Sequence, residues 1–450
     1  MKRKIYDKLL EWKNNDAGKT ALLIDGARRV GKSYIVEEFA KSEYSSYILI
    51  DFNKAGRDVL DLLDNSLDNL DTFFIYLSEY YSVKLIERES LIVFDEVQLF
   101  PRARAAIKYL VADGRFDYIE TGSIVSIKKN IKNIVIPSEE RRIRMYPMDF
   151  EEFLWANGND TLMQLIMDHF IEMKPLGQAM HRKVMNLFRQ YLIVGGMPQA
   201  VVEYTASHEF SRVDQVKRDI LALYREDVSK HANGYEIKVV GIFDEIPAQL
   251  SKHEKKFSLS SIKKEARFRD YEDALFWLDD ARIVNICYNS TEPGIGLKLN
   301  MNRLTLKCYM GDTGLLISHA FDEKGLVSEE IYKKLLFDKL EFNKGMLIEN
   351  IAAQMLVASG HKLYFYSNLS RTDSSSRMEI DFLISKNKVS SRRNISPVEV
   401  KSSKNYTLSS IRKFKEKFKS QLHTPFVLHT GDLKIDDGII FLPIYMTPFL

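Results

Sequence analysis

The chain has 450 residues, too many for one hydrophobic core, and its 65 Lys and Arg against 62 Asp and Glu leave a formal charge of only +3. That balance excludes a polycation, so any contact with nucleic acid must be local. Two cysteines, Cys287 and Cys308, exclude a disulfide framework or a cysteine-based zinc module, and the nine histidines show no metal-ligand spacing. The opening MKRKIYDKLLEWKNND lacks the apolar core of a signal peptide, and no later stretch reaches the roughly 18 apolar residues of a membrane span. The expectation is a cytoplasmic protein without membrane association.

Residues TALLID, Thr20 to Asp25, form an apolar run that enters a Gly-containing loop, and SYIVEEFAKS after it has helical spacing at Ile35, Val36 and Phe39. Apolar runs recur at YILIDF, LIVF and Tyr118-Ile119, separated by helix-compatible sequence, so a parallel sheet covered on both faces is predicted over residues 1–150. Residues 151–235 read as long helices with almost no strand candidates, an all-helical lid. Over 236–301, the segments IFDEIPAQLSK, SSIKKEA and YEDALFWLDDA precede an alternating pair, RIVNICY and IGLKLN. Three helices and a hairpin predict a winged-helix-like segment. Residues 302–450 return to mixed α/β: a helix at Lys344 to Ser359, strand-like LYFYS, MEIDFLIS and SPVEVK, and a basic helix at Leu408 to Ser420.

The stretch Gly26-Ala27-Arg28-Arg29-Val30-Gly31-Lys32-Ser33 satisfies G-x-x-x-x-G-K-[ST] between a predicted strand and a predicted helix. Its glycines let backbone N–H groups turn in around phosphates at a helix N-terminus. Lys32 then reaches the β- and γ-phosphates of ATP, and the Ser33 hydroxyl ligates Mg²⁺. LIVF-Asp95-Glu96 delivers two carboxylates at the C-terminal end of a strand, where open α/β sheets bind ligands. Asp95 is read as the magnesium carboxylate and Glu96 as the residue that orients or deprotonates the attacking water. A later strand ends in Thr121-Gly122-Ser123; a hydroxyl there suits a γ-phosphate sensor, and the tripeptide is equally an ordinary turn. Arg28 and Arg29 belong either to the phosphate contacts or to the solvated surface of the loop.

Together these residues resemble the AAA-type branch of P-loop ATPases, in particular a large prokaryotic family that joins such a domain to a C-terminal restriction-endonuclease-like domain. The stretches that carry the resemblance are GARRVGKS, LIVFDEVQ, ETGS at Glu120, YPMDFEEFL from Tyr146, YLIVGGMPQAV from Tyr191 and YMGDTGLL from Tyr309. The family usually has a Gly and a basic residue shortly before the YPMDF segment, where this chain has Ser138-Glu139-Glu140-Arg141-Arg142. Assignment of a charge-stabilising arginine to Arg141 or Arg142 is therefore left open.

In the last segment MEIDFLIS alternates like a half-buried strand, and SPVEVK places Glu399 and Lys401 on one face of the next. Asp381 followed by Glu399-x-Lys401 is the arrangement for metal-assisted phosphodiester cleavage: Asp381 and Glu399 hold Mg²⁺, Lys401 positions water, and Glu349 on the preceding helix completes the set. This resembles the PD-(D/E)XK nuclease superfamily, whose Asp, Glu and Lys match Asp381, Glu399 and Lys401. Residues 391–420 hold nine Lys or Arg against Glu399 and Glu416, an excess suited either to DNA backbone or to a solvated helix whose buried side is Phe414 and Phe418. Lys263, Lys264 and Arg267 are further candidates for DNA contact. The expectation is an ATPase, free of zinc and able to self-associate, that couples nucleotide state to a nuclease-like, DNA-handling domain at 302–450. The alternative is a nucleotide-dependent regulator whose C-terminal domain is catalytically silent and binds proteins.

Overall fold

The computed structural model describes residues 1–122, 139–232, 234–252, 255–294, 296–321, 328–336, 343–368, 377–385, 393–403 and 405–450. The chain divides into two compact units, Met1–Tyr146 and Pro147–Leu450.

The first unit is built on β1 (Ala21–Asp25), β2 (Ser46–Asp51), β3 (Ser90–Asp95), β4 (Asp117–Gly122) and β5 (Glu140–Arg144). All pairings are parallel and the order is β2-β3-β4-β1-β5. Strands β1, β3 and β4 are buried along their whole length, as a sheet covered on both faces requires. Around it lie α1 (Ile5–Asn15), α2 (Lys32–Glu43), α3 (Arg57–Asn65), α4 (Leu70–Tyr81) and α5 (Pro101–Asp113). Phe73 and Leu77 of α4 and Ile107 and Leu110 of α5 pack with Ile48, Ile92 and Phe94 of the strands in one core. Strand β5 was not legible in the sequence: in ERRIR only Ile143 is apolar, and pairing along β1 rather than hydrophobic patterning makes it a strand.

The second unit begins with α6 (Phe150–Ala156), α7 (Leu162–Ile171), α8 (Gln178–Val194), α9 (Pro198–Ser207) and α10 (Phe210–His231), matching the helical run predicted for this stretch. Asp149 starts α6 with a capping box: its side chain accepts from Glu152 N, and the Glu152 carboxylate accepts from Asp149 N. Then come α11 (Glu236–Ser251), α12 (Phe268–Asp280), β6 (Val284–Ser290), β7 (Met301–Met310), α13 (Thr313–Ala320), α14 (Glu329–Leu336) and α15 (Lys344–Ala358). The C-terminal part holds β8 (Tyr364–Asn368), β9 (Met378–Ile380), β10 (Phe382–Ser385), β11 (Ile395–Val400), α16 (Ser409–Lys417), β12 (Phe426–His429), β13 (Lys434–Asp436) and β14 (Ile439–Pro443). Its sheets are mixed, β7-β6-β8-β9 and β10-β11-β12-β14-β13.

Three local expectations are corrected. SSIKKEA forms only a 3₁₀ turn at Leu259–Ser261 rather than a helix, because just Ile262 and Ala266 are even partly buried and no apolar stripe holds it. RIVNICY pairs with β7 instead of IGLKLN, and IGLKLN supplies a 3₁₀ turn at Leu297–Asn300; β6 also pairs in parallel with β8, so the hairpin is part of a larger sheet. MEIDFLIS breaks at Asp381 into β9 and β10, which join different sheets.

The stretches YLIVGGMPQAV and YMGDTGLL meet at one backbone contact. The Gly196 N–H donates to Asp312 Oδ2 at 2.6 Å, while Asp312 Oδ1 accepts from Leu315 N at 2.9 Å as the N-cap of α13. A Cβ on Gly314 would lie 2.5 Å from Val194 O and 2.6 Å from Gly195 Cα, and one on Gly196 would collide with the backbone of Met148. Only glycine permits this approach. Lys217, fully buried on α10, donates to Ile193 O at 2.9 Å and ties the end of α8 into the same contact. Replacing Asp312 by Ala removes a cap worth about 1 kcal/mol and strands a buried N–H at about 1–3 kcal/mol. D312A is therefore expected to lower the urea midpoint of the second unit clearly, and G196A to do so by overpacking; unchanged midpoints in both would show that this contact holds nothing together.

Candidate functional site

The parallel order of the first sheet brings the C-terminal ends of β1, β3 and β4 side by side, with β4 between the other two. From the end of β1 the chain enters the loop Gly26–Ser33, and α2 begins at Lys32 with Gly31 at φ 95° as its N-cap, a conformation that disfavours a side chain. Arg29 also has positive φ, at 69°, and Arg28 and Arg29 both stand exposed at the loop tip. Ala27 and Val30 are buried beneath them.

Lys32 is only 5% exposed, and its Nζ spans the loop by donating to Gly26 O at 3.2 Å and Ala27 O at 3.1 Å. Burial lowers its pKa, and the nearby Glu96, Asp95 and Asp25 carboxylates oppose that shift. Ser33 Oγ donates to Asp95 Oδ1 at 2.9 Å, and the Thr121 hydroxyl donates to the same oxygen. Burial raises the Asp95 pKa, against those two hydrogen bonds. The Glu96 N–H donates to Thr121 Oγ1 at 3.2 Å, so one hydroxyl bridges Asp95 at the end of β3 and Glu96 directly after it. Glu96 itself adopts the left-handed conformation, φ 56°, and its carboxylate accepts from Gln98 Nε2. Such backbone is sparse for a non-glycine residue and clusters at working sites.

Thus Gly26, Gly31, Lys32, Ser33, Asp95, Glu96 and Thr121 are brought together, while Ser123 lies outside the described residues. A hydroxyl in contact with a carboxylate beside a phosphate-binding loop suits a hard, oxygen-liganded cation such as Mg²⁺. Arg141 and Arg142 sit level with Leu22 and Leu23, two to three residues back from the strand end, and pair with Asp16 and Glu140. Arg144, level with Asp25 at the end of β5, has its Nε 3.6 Å from the buried Asp25 carboxylate.

Several site neighbours escaped the sequence reading. Arg3, buried before α1, donates to Val30 O at 2.9 Å and Tyr146 O at 2.8 Å and braces the loop from beneath. Nothing in a basic N-terminus signals that role. Gln98 carried a signal in the DEVQ stretch but no assignable chemistry.

In the second unit Glu349, Asp381, Glu399 and Lys401 also lie near one another, joined by residues not anticipated. Lys307 of β7, 1% exposed, places Nζ 3.1 Å from Glu349 Oε1, 2.8 Å from Glu379 Oε1 and 3.5 Å from Asp381 Oδ1. Lys255 pairs with the other Glu349 oxygen, and Tyr309 Oη donates to Glu349 Oε1 at 2.5 Å. Asp381 Oδ2 accepts from Val400 N at 2.8 Å. Lys401 Nζ donates to Glu399 Oε1 at 2.5 Å, while Glu399 Oε2 is buried without a hydrogen-bond partner. Burial pushes Glu399 up to about 7. Burial would raise Glu349 too, yet the Lys307 and Lys255 ammoniums outweigh it and hold the carboxyl below its ordinary value. Among the described residues no group of three or more His, Cys, Asp or Glu is disposed to hold a metal ion.

The basic helix α16 buries Phe414, which packs on Phe418 at 4.8 Å and on Tyr366 at 5.0 Å. Lys415 donates to Asp437 O at 2.6 Å, Lys417 to Tyr366 Oη at 3.3 Å and Lys413 to Arg377 O at 3.5 Å, and Arg412 Nε lies 3.6 Å from Asp437 Oδ2, so each basic residue of the helix has a local partner. Arg392 and Lys404 lie outside the described residues. Lys263, Lys264 and Arg267 are exposed on the turn before α12.

A five-stranded parallel sheet in this order, with a phosphate loop after β1, two carboxylates after β3 and a hydroxyl after β4, defines an AAA-type P-loop domain. Comparison agrees: residues 18–154 match the family profile described as AAA domain. Residues 185–324 and 344–447 match two profiles described as domains of unknown function, DUF8612 and DUF4143. No curated protein matches the chain. Among solved structures, the chain is similar to the Walker-type ATPase PABY2304 of Pyrococcus abyssi, at 15% identity over 71% of this chain and 95% of that one, with a TM-score of 0.41. It is also similar to the Aeropyrum pernix ORC1 protein in complex with DNA, at 11% identity over 72% and 94% of the two chains, with a TM-score of 0.30. The domain is assigned on its own strand order and site. No described helix is long and apolar enough to cross a membrane.

Replacing Thr121 by Val removes the hydroxyl shared by Asp95 and Glu96. A hydrogen bond to a charged group is worth about 1.5–3 kcal/mol, so T121V is expected to lower kcat for ATP roughly 10- to 100-fold with nucleotide Kd nearly unchanged. Equal loss of affinity and turnover, read by steady-state kinetics and fluorescent-nucleotide titration, would place Thr121 in simple binding instead.

Proposed function

We propose that the chain is a Mg²⁺-dependent ATPase whose nucleotide state controls a nuclease-like, DNA-handling C-terminal domain. The observation that carries the ATPase reading is the convergence of Ser33, Thr121 and Asp95 beside the loop that holds Lys32. In this reading Lys32 turns from the Gly26 and Ala27 carbonyls to the β- and γ-phosphates, and the loop N–H groups hold the remaining phosphate oxygens. Ser33 and Asp95 would hold Mg²⁺, which supplies charge neutralisation at the phosphates when bound. Glu96, held by Gln98 and by its own N–H on Thr121, orients the attacking water or accepts its proton.

The domain proposal divides the chain into the P-loop domain at 1–150, a helical lid at 151–235, a winged-helix-like segment at 236–301 and a restriction-endonuclease-like domain at 302–450. Support for the last comes from the order of helix α15, strands β8 to β11, helix α16 and the parallel strand β12, with Asp381 directly before β10 and Glu399-x-Lys401 at the end of the neighbouring β11. The exposed Lys263, Lys264 and Arg267, with the basic residues of α16, are the groups proposed to meet DNA backbone. A second reading, a silent C-terminal domain that binds proteins, is favoured by one observation: Lys307 stands among the acidic residues.

K32A is expected to abolish ATP turnover, and turnover equal to wild type would sink the ATPase reading. Anisotropy of labelled duplex and single-stranded DNA should differ between ATPγS and ADP, and K263A/K264A/R267A should weaken binding and flatten its salt dependence. No binding of either DNA in any nucleotide state would move the protein to the second reading.

A further inference from the structure

The C-terminal acidic set meets a physical obstacle to the divalent cation that its resemblance implies. Lys307 and Tyr309 alternate with Leu306 and Cys308 along β7, and Lys307 thereby faces Glu349 on α15. Its ammonium lies within 3.5 Å of oxygens from three carboxylates, Glu349, Glu379 and Asp381. Isolated burial of a lysine is prohibitively costly, and this one is 1% exposed, so those three oxygens are what permit it to stay there charged. Lys255 adds a second ammonium on Glu349. Two ammoniums supply the same formal +2 as one divalent ion.

A divalent ion uses carboxylate oxygens at about 2.0–2.6 Å. Bound to the oxygens of Glu349 and Asp381 that face Lys307, it would sit almost on top of the Nζ, in steric and electrostatic conflict. The position accepts either the lysine or the metal. Of the remaining positions, Asp381 Oδ2 accepts from Val400 N and Glu399 Oε1 from Lys401, which leaves Glu399 Oε2 as the one oxygen of Glu349, Asp381 and Glu399 without a hydrogen-bond partner, and one oxygen does not make a divalent-cation site. The residues as arranged therefore do not fit a divalent cation.

We infer that Lys307 is an internal counter-ion, its ammonium taking the position of a divalent cation among Glu349, Glu379 and Asp381 and closing that site to metal. The inference is independent of the P-loop reading, since it concerns only the charge balance of the second unit. On this reading the Asp381 and Glu349 carboxylates are balanced by lysine ammoniums rather than by a divalent ion. It also makes the site latent, because loss of the one ammonium would leave three carboxylates facing one another.

The test is Mn²⁺ binding to the full-length, nucleotide-free protein, counted by electron paramagnetic resonance. The wild type and D381N should bind the same number of ions, showing that Asp381 holds none. K307M should bind one additional Mn²⁺ per chain, and K307M/D381N should lose it. A wild-type count that falls on D381N overturns the proposal, and so does a folded K307M with no added ion. If K307M melts without metal, recovery of its unfolding transition with Mn²⁺ supports the proposal. In that case K307Q/E379Q, which leaves one fewer carboxylate uncompensated, serves as the second variant. Failure of both variants to fold at any Mn²⁺ concentration overturns the proposal, because a divalent ion would restore the missing charge.

Discussion

The nucleotide site depends on one carboxylate oxygen. Asp95 Oδ1 accepts from both Ser33 and Thr121, so a single atom ties the start of α2 to the ends of β3 and β4. That convergence follows from strand order: with β4 inserted between β1 and β3, a hydroxyl at its end necessarily falls between the phosphate loop and the acidic pair. The oxygen is buried, and the two hydroxyls offset the cost of keeping it charged. Arg3 beneath Val30 and the Gln98 contact to Glu96 extend the same logic outward, fixing the loop and the second carboxylate by hydrogen bonds from outside the motif.

The second unit depends on a different constraint, backbone touching backbone. Gly195 meets Gly314 backbone to backbone, Gly196 lies against the Met148 backbone, and Asp312 both caps α13 and accepts the Gly196 N–H. The helical stretch after Pro147 and the mixed sheets belong to one compact unit. Nearby polar groups are paired in the same economical way. Asn350 accepts from Met310 N at 2.8 Å, and Gln354 accepts from Thr313 N at 2.8 Å, which lets α15 carry amides into a buried interface.

Much of this was legible in sequence. The loop from Gly26 to Ser33 and the Asp95-Glu96 pair are contiguous, their chemistry requires fixed spacing, and the structure places Lys32, Ser33, Asp95 and Thr121 together. The strand at Glu140–Arg144 was not legible, since a mostly charged segment becomes a strand only through its neighbour β1. Nor was the break at Asp381, which depends on which sheet each half joins. Lys307 was the largest omission. It lies 42 residues from Glu349 and 74 from Asp381, and composition gives no reason to expect a lysine in a core. The glycines of GGMPQ, a stretch that carries the family resemblance, serve close backbone packing.

The proposed role of Glu96 as the water-activating group beside Asp95 is open to single-turnover hydrolysis of radiolabelled ATP in wild type and E96Q. E96Q is expected to bind Mg²⁺-ATP as tightly as wild type and to retain it uncleaved. Wild-type cleavage by E96Q would contradict that role, because the water-activating group would then have to lie elsewhere.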